Sequence, residues 1–204
     1  MSWTVREDSL ARNAAVIVSI KDQLYRRNDD GGSSVASMLQ KDCDAAYELA
    51  KNGNHEGAIE ACDRLIDRYP DRLEPIRARA SVSMYTGDYQ AAATDLRALA
   101  ERGTPEPSDY YDLGRACFQL QEYETAIDAL SRAVCSGERA QFAYYEKAAL
   151  LLRAEARLRV SDYSGAVEDC MKVGADYAGY VPGIGARRAA DILAVADRQS
   201  NCDQ

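Results

Sequence analysis

A motif that returns at a fixed distance constrains this chain more than any other feature. Gly53-Asn54-His55 recurs as Gly87-Asp88-Tyr89 and again as Gln121-Glu122-Tyr123, each step spanning 34 residues. Ala46, Ala80 and Gly114 keep the same register, as do Ala58, Ala92 and Ala126. Cys62, Leu96 and Leu130 form a third column, and Leu65, Leu99 and Ala133 a fourth. A unit repeated at this period cannot bury its apolar face alone and must stack on its neighbours, which selects an open array.

Each column has a physical reason. The two columns of small residues fall where paired helices cross, so that their backbones can approach closely. Gly53 and Gly87 end the first helix of a pair, because a residue without Cβ accepts the left-handed conformation there. Cys62 and Leu65, like Leu96 and Leu99, follow the second small residue by four and seven positions and share one helical face. Pro70, and Pro105 one residue later in its register, stop the second helices. The aromatic content is mostly Tyr, with 13 Tyr against 2 Phe and 1 Trp, and much of the apolar share is Ala. That composition favours closely packed helices and an all-α fold.

A fourth unit is stretched. Tyr163, Ala166, Cys170 and Val173 reproduce the second-helix columns, yet Ala166 follows Ala126 by 40 residues. The extra length falls in Gln141 to Arg159, which reads as one uninterrupted helix, longer than its predecessors and projecting beyond the stack. The expected organisation is four units, 39–72, 73–106, 107–140 and 141–180, within a repeat region 35–180.

Tyr110-Tyr111-Asp112-Leu113-Gly114 is similar to the aromatic-x-x-Leu-Gly start of the tetratricopeptide repeat. Glu122-Tyr123-Glu124-Thr125-Ala126-Ile127 resembles the start of that family's second helix. The resemblance runs roughly from Leu39 to Gly179, strongest in the third unit and weakest in the first, where Asp42 and Ala45 replace an aromatic and a Leu. It implies a right-handed superhelix of antiparallel helix pairs whose first helices line a concave groove. The family's groove-facing positions fall on Tyr47 in the first unit, on Arg77, Ser81, Met84 and Tyr85 in the second, and on Tyr111, Arg115 and Phe118 in the third. Tyr144 and Tyr145 extend that wall. Tyr and Arg anchor partners through large contact area and forked hydrogen bonding.

The function this resemblance implies is a non-catalytic protein-binding scaffold, an adaptor or chaperone-like module holding a partner protein or peptide. A dedicated immunity or secretion-chaperone protein with a single partner is a narrower form. Members that dock chaperone tails clamp a terminal carboxylate with Lys, Asn and Arg, whereas the corresponding wall here offers Cys43, Tyr47, Arg77 and Ser81, a departure that argues against such tails.

Composition narrows the chemistry. The formal net charge is −8 and the pI about 4.8, which disfavours a general phosphate-binding surface. The six cysteines form no C-x-x-C pair, and His55 is the single histidine, so no metal and no cofactor are expected. No Gly-x-Ser-x-Gly, phosphate-binding Gly-Lys-Ser/Thr loop or paired-His motif occurs, and neither an enzyme nor a small-molecule substrate is expected. The apolar run Ala14 to Ile20 is too short to cross a bilayer and resembles no secretory signal, so a cytoplasmic protein without membrane contact is expected.

The two ends differ from the units. Residues 1–34 read as an amphipathic helix, Ser9 to Arg27, and a flexible linker rich in Asp, Gly and Ser. That helix can cap the first unit, fill the groove, or self-associate through Leu10, Ile17 and Leu24. Residues 181–204 read as Val181-Pro182-Gly183-Ile184-Gly185 leading into a capping helix with Ala189, Ile192, Leu193 and Val195, then a tail. The Pro182-Gly183-Ile184-Gly185 stretch also resembles the turn of helix-hairpin-helix modules, where backbone N–H groups meet a phosphate. That resemblance implies nucleic-acid binding assisted by Arg187 and Arg188, a function of another class.

Overall fold

The computed structural model describes residues 34–102, 105–139 and 145–200. Packing divides the chain into two units, Met1–Met38 and Leu39–Gln204. The described part of the first is the opening turn of a helix, with Val35 and Met38 exposed. The amphipathic helix expected over Ser9 to Arg27 lies outside the described residues.

Among the described residues eight helices come first in chain order: α1 (Ser34–Lys51), α2 (His55–Arg68), α3 (Glu74–Thr86), α4 (Tyr89–Arg102), α5 (Pro107–Gln119), α6 (Tyr123–Arg139), α7 (Glu146–Arg159) and α8 (Tyr163–Val173). A short hairpin of β1 (Ala178–Val181) and β2 (Gly185–Arg188) then leads into α9 (Ala189–Ser200). The architecture is all-α, a superhelical stack of helix pairs, with this hairpin as an addition near its C-terminal end.

The turn inside each pair is built the same way four times. Gly53, Gly87, Gln121 and Ser161 all take a left-handed backbone, with φ of 85°, 84°, 62° and 61°. In three of the four, the next residue caps the second helix. Asn54 Oδ1 accepts from Gly57 N–H, Asp88 Oδ1 from Ala91 N–H, and Asp162 Oδ1 from Gly165 N–H, at 3.0–3.1 Å. These side chains satisfy N–H groups that the first turn leaves without a helical acceptor.

The columns of Ala46, Ala58, Cys62 and Leu65 are buried in every unit, while the turn position of Gly53, Gly87 and Gln121 is exposed. Ala46 clusters with Ala58 and Cys62, and Ala80, Ala92, Leu96, Leu130, Ala154, Ala166 and Cys170 share the main core. The approach at Gly114 is so close that a Cβ there would stand 2.5 Å from Leu130 Cγ. Most of the core is one continuous cluster from Ile76 to Ile192, while the first pair closes with smaller clusters around Ala46, Cys62 and Val82 and around Leu39, Cys43 and Leu65.

Charged pairs reinforce alternate units. Arg79 donates from Nε and Nη2 to both carboxylate oxygens of Asp95 at 2.9 and 2.7 Å, and from Nη1 to Asp63 in the preceding pair at 2.6 Å. Arg153 repeats the arrangement with Asp169, at 2.8 and 2.6 Å, and reaches Ser131 Oγ in the preceding pair at 2.9 Å. Arg157 Nη1 adds a third donor to Asp169 at 3.1 Å. Such forked pairs satisfy the desolvated carboxylate and fix helix register. The first and third units carry Ala45 with Ala61 and Leu113 with Ala129 at these positions.

Two expectations are corrected. The long helix expected over 141–159 begins at Glu146 in the described residues and has 14 residues, close to the 13 of α3 and α5. Part of the extra length extends α6 instead, to 17 residues against 14 in α2 and α4. The reason is chemical: no proline stops the third unit's second helix, as Pro70 ends the first. Nor does Gly185 open a helix. Residues 185–188 are held extended by pairing with β1, Arg188 opposite Ala178 and Gly185 opposite Val181, and the helix begins only at Ala189.

Candidate partner-binding groove

The first helices α1, α3, α5 and α7 carry the positions that line the groove of such a stack, and structural context decides which remain accessible. Tyr47 of α1 and Tyr85 of α3 meet edge to face, with ring centroids 5.7 Å apart and planes at 68°. Tyr85 is 50% exposed, Tyr47 and Ser81 are half-buried, and Met84 packs on the main core. On α5, Arg115 donates to Asp112 at 3.0 Å and stands 5.8 Å from the centre of the Tyr111 ring. Tyr111 stacks at 5.3 Å on Tyr145, the residue that precedes α7, and burial pushes its phenol up to about 12. Tyr144 lies outside the described residues.

Two residues expected on this wall serve other ends. Arg77 grips Asp109 of α5 with two 2.8 Å hydrogen bonds and lies 3.5 Å from Glu106, so its fork joins the second pair to the third. Phe118 is 6% exposed, packed at 5.4 Å edge to face against Tyr123, and offers no surface to a partner. It turns toward the following helix rather than solvent, because α5 and α6 pack tightly across Gly114.

By register the candidate wall also takes in Gln119, Leu151 and Glu155, which the sequence pattern did not single out. Counted from the small residue of each first helix, Leu151 shares the column of Arg77 and Tyr111, Glu155 that of Ser81 and Arg115, and Gln119 that of Tyr85. The hairpin lies on all three. Gly179 comes so close to Leu151 that a Cβ would stand 2.8 Å from its Cδ2. Arg187 Nε donates to Glu155 Oε2 at 2.9 Å, and a Cβ on Gly183 in the turn would stand 3.1 Å from Gln119 Oε1. A signal for the wall positions was present, since the 40-residue offset of the fourth unit places 151 and 155 on these columns. What sat on them was not legible.

The same hairpin departs from the geometry of a helix-hairpin-helix turn. A strand, not a helix, precedes the Gly-rich turn, Arg187 is engaged by Glu155, and Arg188 pairs with Asp191 at 2.9 Å. Burial pushes the thiols of Cys62, Cys117 and Cys170 up to about 11 and that of Cys43 up to about 12, far from a reactive thiolate. Among the described residues no three His, Cys, Asp or Glu side chains group to hold a metal ion, and no helix is long and apolar enough to cross a membrane.

A superhelical stack of helix pairs defines a class, the helical-repeat scaffold for protein interaction. The chain carries tetratricopeptide repeats: models of that repeat match residues 77–144 and 44–72. The fold is shared with the crystal structure of MamA protein, at 21% identity and a TM-score of 0.65, covering 81% of this chain and 84% of that one. It is shared with YrrB, described as a TPR protein with an unusual peptide-binding site, at 14% identity and a TM-score of 0.63 over 83% and 84% of the two chains. A Podosopora anserina putative kinesin light chain with nearly identical TPR-like repeats has 17% identity and a TM-score of 0.59 over 82% and 89%. No curated protein matches the chain.

Proposed function

We propose that the chain is an adaptor or chaperone-like module that captures a segment of a partner protein along the wall running from Tyr47 and Tyr85 to Arg115. The observation that carries this reading is the edge-to-face pair Tyr47–Tyr85, with Tyr85 half exposed, a large and rigid aromatic surface on neighbouring first helices. Rigid aromatics lose little rotamer entropy on binding and dominate affinity where they are central to an interface. Arg115 on the next first helix supplies a forked donor for a carbonyl or carboxylate of the partner. The peptide-binding site named for YrrB, a protein of the same fold, supports the reading without identifying the partner.

The test is affinity purification from the native organism, comparing the parent chain with Tyr85→Ala and Arg115→Ala, each checked for helical content. Loss of one or a few proteins in both variants is expected. An unchanged set of captured proteins with the fold intact removes the groove as the site.

A further inference from the structure

A groove of this kind normally offers its inner wall along the full array. Here the chain's own hairpin sits on the wall's C-terminal end. Three separate contacts, to Leu151, Glu155 and Gln119, all fall on groove columns. Leu151 is 1% exposed and Glu155 3%. On the hairpin's inner side Gly179 and Arg187 face these positions and Val181 is buried in the main core, while its outer residues Ala178, Tyr180, Ala186 and Arg188 are exposed. Two glycines, Gly179 and Gly183, allow the backbone itself to come against the wall, as a bound extended peptide would.

Resting on the reading of the groove above, we propose that the hairpin Ala178–Arg188 is a built-in competitor for it, an intrachain ligand occupying the fourth unit's share of the wall. In place, it confines a partner segment to the first three units and ends its run at Gln119. The carboxylate of Glu155 is divided between two arginines, Oε1 accepting from Arg159 of its own helix and Oε2 from Arg187 of the hairpin. Release of the hairpin therefore uncovers Leu151 and frees Oε2, adding an apolar contact and an acceptor that favour a segment with a basic residue. The Arg187–Glu155 pair is the hairpin's charged hold on α7, and the hairpin's own arginine marks the chemistry that this oxygen accepts.

The experiment uses the full chain, the variants Arg187→Ala and Arg187→Glu, and displayed random peptides of about twelve residues as the probe. Hydrogen exchange over 178–188 reads release of the hairpin without any partner, and it is expected to rise from parent to Arg187→Ala to Arg187→Glu. Peptides selected on Arg187→Glu are expected to carry a basic residue and to bind the parent roughly tenfold more weakly. Exchange that stays at the parent's level in both variants overturns the proposal, and so do peptides from the released chain that bind the parent equally well. The variant Tyr85→Ala separates the two readings. If no peptide from either selection responds to it, the groove itself fails as the site, whatever the hairpin does.

Discussion

The second and fourth helix pairs hold a desolvated Arg–Asp fork at positions where the first and third hold only Ala and Leu. In both charged units the Arg precedes the small residue of the first helix and the Asp follows 16 residues later on the second. In both, the third guanidinium nitrogen reaches back to the preceding pair, to Asp63 or to Ser131. The same backbone therefore accepts two solutions at one position. The apolar solution needs no partner, with Ala45 exposed in the first unit and Leu113 and Ala129 buried in the third, whereas the charged one is satisfied only when every partner is in place, and in return it ties one pair to the next.

Substitutions in the two forks probe this difference directly. The largest effect is expected from Asp169→Ala. Asp169 is 0% exposed and holds both Arg153 and Arg157, so its removal leaves Arg153 with Ser131 and Arg157 with Gly165 O and Asp162, and costs about 3–5 kcal/mol in urea unfolding. Asp95→Ala strands Arg79 alone, which keeps Asp63 and more solvent, and is expected to cost about 1–3 kcal/mol in the same measurement. Equal losses at the two sites would show that the fourth unit's second arginine adds nothing.

Copying the third unit into the second, as Arg79→Leu with Asp95→Ala, removes the fork as a whole. Stability is expected to return to within about 1–2 kcal/mol of the parent, because no charge is left buried without a partner. A loss as large as that of Asp95→Ala alone would mean that the link to Asp63, not the fork, is what the second unit needs.

The smallest change concerns the turns. Gln121 and Ser161 hold the left-handed conformation that Gly53 and Gly87 hold in the first two units. Gln121→Gly is expected to raise stability by up to about 1 kcal/mol, offset in part by the greater freedom of glycine in the unfolded chain, and a rise in the melting midpoint checks it.

Much of this architecture was legible in the sequence. The 34-residue period placed the helices, the turns and the small-residue crossings, because each unit repeats one local solution to capping and close approach. The two charged units were written there too, as Arg79 and Asp95 recurring in Arg153 and Asp169, although one such pair in isolation carries no signal. The candidate wall was legible only as a set of columns. Arg77 belongs to it by register but is taken by Asp109, and Phe118 by register but is buried on Tyr123.

Helical period and residue size act locally and are read in register, so the repeat, the all-α stack and the inward faces of the first helices were all set down in the chain itself. How much of that inner wall stays open was settled by tertiary contact instead. Exposure depends on what packs against a residue. The groups that cover Leu151 and Glu155 are Gly179, 28 residues further on, and Arg187, 32 residues further on, and no period connects them. A strand of four residues is held by pairing rather than by its own propensity, so β2 and its grip on Glu155 exist only once β1 and α7 are in place.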